Sequence, residues 1–153
     1  MQIKNKIFNE LNLKELYNIL QLRSEVFVVE QNCVYNDLDG NDEPGHHILA
    51  CNNDEIVGYL RVLPPDTRFK EASIGRLVVD KDHRFKGLAR ELMIYASDWI
   101  FTKWNAPKIQ ISAQKYLKGF YLSLGYKIVS DEYVEDGIPH LKMELTNKNA
   151  NNL

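Results

Sequence analysis

The sequence predicts a mixed α/β domain, a twisted and mostly antiparallel sheet of about six or seven strands with flanking helices. Three observations predict it. Apolar runs of strand length are joined by hairpin chemistry, most clearly at Asn52-Asn53-Asp54, residue types that tolerate positive φ. A strand ending in Leu77-Val78-Val79 passes through a long amphipathic helix into a second strand, the order of a crossover between parallel strands. The 153 residues are 44% hydrophobic and 26% charged, the balance of one ordinary globular core.

Met1–Phe8 reads as a first strand. Asn12 followed by Glu15 has capping-box spacing, and Leu13, Leu16, Tyr17, Leu20 and Phe27 keep a helical period to about Val28. Asn32–Gly45 is a loop rich in Asn, Asp and Gly. Strands follow at His47–Cys51 and Glu55–Leu63, the second stopped by Pro64-Pro65. Ala72–Asp80 is a further strand. The loop Lys81–Lys86 leads into a helix over Gly87–Lys103, whose stripe is Leu88, Leu92, Tyr95, Ala96, Trp99 and Ile100. Lys108–Ala113 is a strand, and Lys115–Leu124 a helix ended by Gly125. Tyr126–Ser130 and His140–Leu145 close the sheet. This makes one domain over residues 1–146, with a polar, Asn-rich and frayed tail over 147–153.

Composition also excludes functions. A net charge of -2 argues against a broad basic face and a nucleic-acid partner. No apolar run approaches the roughly 20 residues that span a bilayer, and Met1–Glu10 lacks the apolar core of a signal peptide. A cytoplasmic protein with no membrane partner is expected. Its two cysteines, Cys33 and Cys51, are expected to be reduced thiols. Asp37-Leu38-Asp39-Gly40 imitates a calcium loop, but the first ligand position falls on Tyr35 and the twelfth on His46 rather than Glu. His46 and His47 are adjacent and point to opposite faces of a strand. No metal is expected.

Two stretches carry chemistry. The first is Arg84-x-x-Gly87-x-Ala89, entering a helix directly after a strand. A first helical turn has unpaired N–H groups and a partial positive charge. Gly87 permits close approach, and Arg84 and Lys86 bring cations to the same rim, a combination suited to a pyrophosphate. Neither a Walker loop nor a GxGxxG fingerprint is present. Alone, the stretch is equally an ordinary strand-to-helix connection. The second is Phe120-Tyr121, then Leu124-Gly125-Tyr126. Alone, these are core aromatics.

In combination they resemble the Gcn5-related N-acetyltransferase (GNAT) superfamily. Arg84-x-x-Gly87-x-Ala89 is similar to its acetyl-CoA motif, with Leu77-Val78-Val79 in front at the family spacing, and Phe120-Tyr121 to Tyr126 is similar to its later motif. Arg23–Gln31, Asp37–Asp42, His47, Gly75–Val79 and Asp136–His140 resemble the ElaA-like branch. The resemblance spans nearly the whole chain. It implies a central parallel strand pair that splays, with the pantetheine of acetyl-CoA in the gap. It further implies main-chain contacts from Leu77, Val78 and Val79, an amide near Leu77 polarising the thioester carbonyl, and backbone amides of Arg84, Phe85, Lys86, Gly87, Leu88 and Ala89 on the pyrophosphate. Tyr121 would protonate the leaving thiolate, since a phenol at about 10 stays protonated where a thiol ionises near 8.5.

The acceptor amine needs a base. Histone-modifying members carry a carboxylate four residues before the position of Leu77, where this chain has Ser73. Glu30, Asp37, Asp39, His47 and His140 are the candidates, with His140 or Glu30 favoured. Arg76 either orients an acidic substrate group or pairs with a loop carboxylate. Neither cysteine has the setting of a covalent nucleophile. The implied activity is direct acetyl transfer to a small-molecule or peptide amine, in a monomer or a homodimer. The alternatives are a non-catalytic acyl-CoA-binding sensor and a mixed α/β interaction domain with no ligand.

Overall fold

A computed structural model describes residues 1–149. Strands β1 (Gln2–Ile7), β2 (His46–Asn52), β3 (Glu55–Leu63) and β4 (Ala72–Val79) form an antiparallel meander. The turn between β2 and β3 has Asn53 at φ 57°, as its residue type predicts. Strand β5 (Lys108–Gln114) lies parallel to β4, and β8 (Ile138–Thr146) runs antiparallel along all of β5. Strands β6 (Lys127–Ile128) and β7 (Tyr133–Glu135) both pair with β8. The sheet has eight strands, against the six or seven expected.

The additional strand is β7. It is made by a two-residue turn in which Asp136 and Gly137 both have positive φ, 52° and 77°, the requirement of a type I′ hairpin. The Asp-Gly pair carried that signal. The closing strand expected over Tyr126–Ser130 shortens to Lys127–Ile128.

Helix α1 (Leu13–Arg23) starts on the expected capping box: Glu15 N–H donates to Asn12 Oδ1 at 2.7 Å and Asn12 N–H to Glu15 Oε1 at 3.0 Å. The chain then widens into a π-helix over Ser24–Glu30 rather than continuing as α. Gln31 N–H reaches back five residues to Val26 O at 3.0 Å, a spacing that a 3.6-residue apolar period does not encode. Helix α2 (Leu88–Lys103) buries Leu88, Leu92, Met93, Ala96 and Ile100. It lies so near β3 that a Cβ on Gly58 would sit 3.1 Å from Leu88 and Leu92. The helix expected over Lys115–Leu124 begins as a 3₁₀ turn and is α-helical over Lys118–Ser123 (α3). Gly125, at φ 96°, ends it as expected.

Each face of the sheet has its own apolar core. Helices α2 and α3 cover Ile48, Leu60, Val62, Ile109, Leu141 and Met143. Helix α1 covers Leu49, Cys51, Tyr59 and Val78 through Ile19 and Leu22. Asn147, expected in a frayed tail, is buried instead: its amide N–H donates to Pro107 O and its side chain to Ala106 O. Residues 150–153 of that expected tail lie outside the described residues. Cys33 and Cys51 are free thiols. Among the described residues, no helix is long and apolar enough to cross a membrane.

Candidate active site

The site begins with an irregularity in β4. Arg61 pairs with Gly75 and Tyr59 with Val78, so β4 carries one residue more than β3 across this step. This is a β-bulge, and Arg76 occupies it at φ 55°. A left-handed arginine is strained, and ion pairs hold it. Arg76 Nη2 donates to Asp37 O at 2.9 Å and to Asp39 Oδ2 at 3.3 Å. Its Nε lies 2.8 Å from Asp37 Oδ1, out of line for a hydrogen bond.

The extra residue reverses the alternation of the strand. Ile74 packs toward α2, whereas Val78 packs toward α1. Pairing between β4 and β5 covers only Ala72–Ile109 and Ser73–Gln110. Beyond Ser73 the two strands separate, and among the described residues β4 has no strand partner on that edge. A channel of about 640 Å³ runs through the split. Leu88, Met93 and Tyr121 line it on the α2/α3 side, and Phe27, Arg68, Ser112 and His140 line it on the other.

The loop after β4 closes one end. Phe85 and Gly87 are left-handed, at φ 62° and 81°, the alternation that turns successive N–H groups toward an anion. Gly87 caps α2 without any side-chain bond. The first main-chain bond of that helix is Glu91 N–H to Gly87 O, at 3.1 Å. The N–H groups of Leu88, Ala89 and Arg90 therefore have no acceptor among the described residues and stand at the positive end of the helix. A Cβ on Gly87 would meet nothing within 4 Å.

Arg84 does not serve as the free cation expected at this rim. Its Nε donates to Val79 O at 3.0 Å, and Nη1 and Nη2 hold both oxygens of Glu30 at 2.8 and 3.0 Å. It staples the loop to the end of β4 and to the π-helix. Glu30, a favoured base, lines the channel with both oxygens engaged by that pair. Phe85 is fully exposed.

Tyr121 is buried at the channel wall, with ring centroids 5.1 Å from Phe120 and 5.9 Å from Tyr126. Burial, with Tyr116 nearby, pushes its hydroxyl above the ordinary phenol value. Its Oη makes no hydrogen bond to the described residues.

The remaining base candidates separate into two groups. Asp37, Asp39 and His47 belong to a buried ion network. Arg23, wholly buried, donates to Asp37 at 2.9 Å and Asp42 at 2.7 Å. Arg61 donates to both oxygens of Asp39 at 2.8 and 2.7 Å and to Asp42 at 2.9 Å. Burial opposes the charge of Asp39 and Asp42, but the arginines outweigh it and hold both carboxyls below their ordinary range. His47 is clamped between Asp42 O at 2.8 Å and Tyr59 Oη at 2.7 Å, and burial pushes its pKa down. His140 lines the channel. Its Nδ1 lies 2.7 Å from Ile138 O and its Nε2 lies 3.4 Å from Glu135 Oε2.

Glu135, Ser112, Tyr133 and Arg68 were not singled out by sequence. Glu135 Oε1 accepts from Arg68 Nη2 at 2.6 Å and Oε2 from Ser112 Oγ at 3.2 Å. Ser112 Oγ also bonds Tyr133 Oη, and the Tyr133 ring stacks on His140. The Asp136-Gly137 hairpin, which sets Glu135 opposite Ile138, was the available signal.

Known proteins share this fold. The family model described as an acetyltransferase (GNAT) domain matches residues 13–147. The Escherichia coli protein ElaA is 42% identical over 137 residues, covering 88% of this chain and 90% of that protein. Its crystal structure superposes with a TM-score of 0.87 over 94% of this chain and 97% of that one, at 38% identity. An acyl-CoA N-acyltransferase from Pseudomonas aeruginosa gives 0.88 over 94% of this chain and 99% of that one, also at 38% identity. An aminoglycoside 6′-N-acetyltransferase solved with coenzyme A is 17% identical over 95% of this chain and 97% of that one, and its TM-score of 0.74 shows a shared fold. The family model over residues 13–147 and the 42% identity to ElaA show that the chain belongs to the GNAT acetyltransferase family.

Proposed function

We propose that the protein is an acetyl-CoA-dependent N-acetyltransferase that transfers the acetyl group directly to a primary amine in a ternary complex. The observation that carries this is the free edge of β4 beyond Ser73 leading to the uncapped start of α2. We assign the Leu77 main chain and the Val79 amide to an extended pantetheine arm; Val79 O already accepts from Arg84, and Val78 is turned to β3, where it pairs with Tyr59. Amides from Arg84 to Ala89 suit the pyrophosphate, with Gly87 leaving room for it. The Leu77 amide stabilises the oxyanion that forms at the thioester carbonyl in this reading.

Tyr121 supplies the proton to the departing thiolate. Burial keeps that proton on the phenol throughout the working pH range, and with no hydrogen-bond partner among the described residues its Oη is available to a sulfur. The fold neighbour solved with coenzyme A supports this class of ligand.

Calorimetric titration with acetyl-CoA tests the reading. One saturable site is expected, with a melting temperature that rises with the logarithm of ligand excess. Release of free thiol when an amine is added separates a transferase from a binding-only sensor. No binding at millimolar acetyl-CoA would overturn the proposal.

A further inference from the structure

We infer that Arg68, Glu135 and His140 form the acceptor subsite, and that it takes a small zwitterionic primary amine, an α-amino acid or close analogue. The inference rests on the transferase reading above and deepens it.

Placement comes first. Leu141 and Met143 of β8 face the core shared with Tyr121. Side chains alternate along a strand, so His140 projects from the opposite face. Its register partner Gln114 shares that face, and Ser112 lies two residues back along β5. The channel through the split joins the two faces. An amine held at His140 therefore approaches the thioester from the side opposite Tyr121.

Hydrogen bonding comes second. His140 Nδ1 faces a carbonyl at 2.7 Å and so carries a proton. In the neutral ring, Nε2 is then a bare lone pair, and it faces Glu135 Oε2 at 3.4 Å. With that tautomer two acceptors face each other, Oε2 taking a hydrogen bond from Ser112 on its other side. A primary ammonium has three N–H groups and satisfies both.

Charge comes third. Glu135 is bound to Arg68 through its other oxygen. Arg68 Nη1 and Nε make no hydrogen bond to the described residues. Nη1 stands over Gly75, 3.9 Å from where a Cβ would be, so the guanidinium keeps a free edge above β4. An anion and a cation side by side match an ammonium and a carboxylate side by side. A polycation fits less well. Asp37 and Asp39 are paired with arginines, Glu30 with Arg84 and Glu135 with Arg68 through one oxygen, leaving the second oxygen of Glu135 and the hairpin-tip Asp136 on the channel wall.

The chemistry balances. The ammonium gives one proton to His140 Nε2, and the imidazolium pairs with Glu135. The freed nitrogen lone pair attacks the thioester carbon, forming C–N and then expelling sulfur. The thiolate takes the Tyr121 proton. The second proton lost by nitrogen leaves to solvent through the channel, solvent restores the phenol, and His140 returns its own proton to solvent.

The test is thiol release from acetyl-CoA with the common amino acids, their carboxamides, n-butylamine and spermidine. At least one amino acid is expected to exceed its carboxamide at least tenfold in kcat/KM. Arg68→Met should raise KM for that amino acid about tenfold and remove most of its advantage over the carboxamide. Glu135→Gln and His140→Gln should lower kcat while calorimetry shows an unaltered acetyl-CoA Kd, which also reports that the variants are folded. Preference for spermidine or butylamine, equal use of acid and amide, or no amino acid turned over while acetyl-CoA binds would overturn this subsite and leave the transferase reading standing. Absence of acetyl-CoA binding would overturn both.

Discussion

The two ends of the channel are built differently. The end at α2 is made of backbone: a strand edge without a partner, two left-handed residues and an uncapped helix start. The end at β7 and β8 is made of side chains from separate stretches, Arg68, Ser112, Glu135 and His140. A backbone site tolerates changes of side chain provided the chain path is kept. A side-chain site depends on each group. Between them, the Arg–Asp network supports the bulge at Arg76 that opens the split.

That support gives the largest expected effect. Asp42 is shared by Arg23 and Arg61. Asp42→Ala leaves two buried guanidinium groups short of a counter-charge and should cost about 3–5 kcal/mol by urea unfolding. Its acid dependence has a definite sign. Asp39 and Asp42 are held below the ordinary carboxyl value, so the folded state binds protons less readily than the unfolded chain. Their contribution is complete above about pH 5 and is lost as pH falls below about 4. The urea midpoint should stay level from neutrality to about pH 5 and then drop, and Asp39→Asn should flatten the drop. A steep loss between pH 6 and 7 would show that other groups dominate.

At the reaction centre, Tyr121→Phe removes one hydroxyl and keeps the ring. Turnover with an accepted amine should fall about 100-fold or more if the phenol is the acid, with acetyl-CoA affinity unchanged. An unchanged kcat would move the acid elsewhere. Gly87→Ala probes the backbone end. A left-handed alanine costs about 1–2 kcal/mol, and its Cβ enters the space left for a pyrophosphate. Acetyl-CoA Kd should rise roughly tenfold, on the order of 1.4 kcal/mol. Arg68→Met, at the other end, should leave that Kd alone. A Kd moved equally by both would erase the distinction between the two ends.

The same distinction explains what was legible in the sequence. Gly87, Gly125 and the Asn12 capping box act locally, and their positions announced them. The backbone end was readable because a strand, a loop and a helix start are contiguous. Glu135 was missed because Arg68 lies 67 residues away and Ser112 23 residues away, and no short spacing records such pairs. Asp37, Asp39 and His47 were plausible bases on residue type alone. Only the fold shows that arginines and Tyr59 already occupy them. The bulge was hidden as well, since a left-handed arginine follows from its ion pairs and not from its own preference.

The smallest expected effect joins the two ends. Glu30 and Arg84 tie the π-helix to the anion loop. The Glu30 carboxylate is nearly half exposed, so water screens the pair and Glu30→Gln should change stability by no more than about 1 kcal/mol. If Glu30 serves as a tether, the variant keeps kcat and loses a few-fold in acetyl-CoA affinity, because Arg84 no longer fixes the loop that carries Gly87. If it serves as the base, kcat falls and affinity holds. The geometry favours the tether: both oxygens of the Glu30 carboxylate are already engaged by the Arg84 guanidinium, whereas His140 keeps a nitrogen directed at the channel.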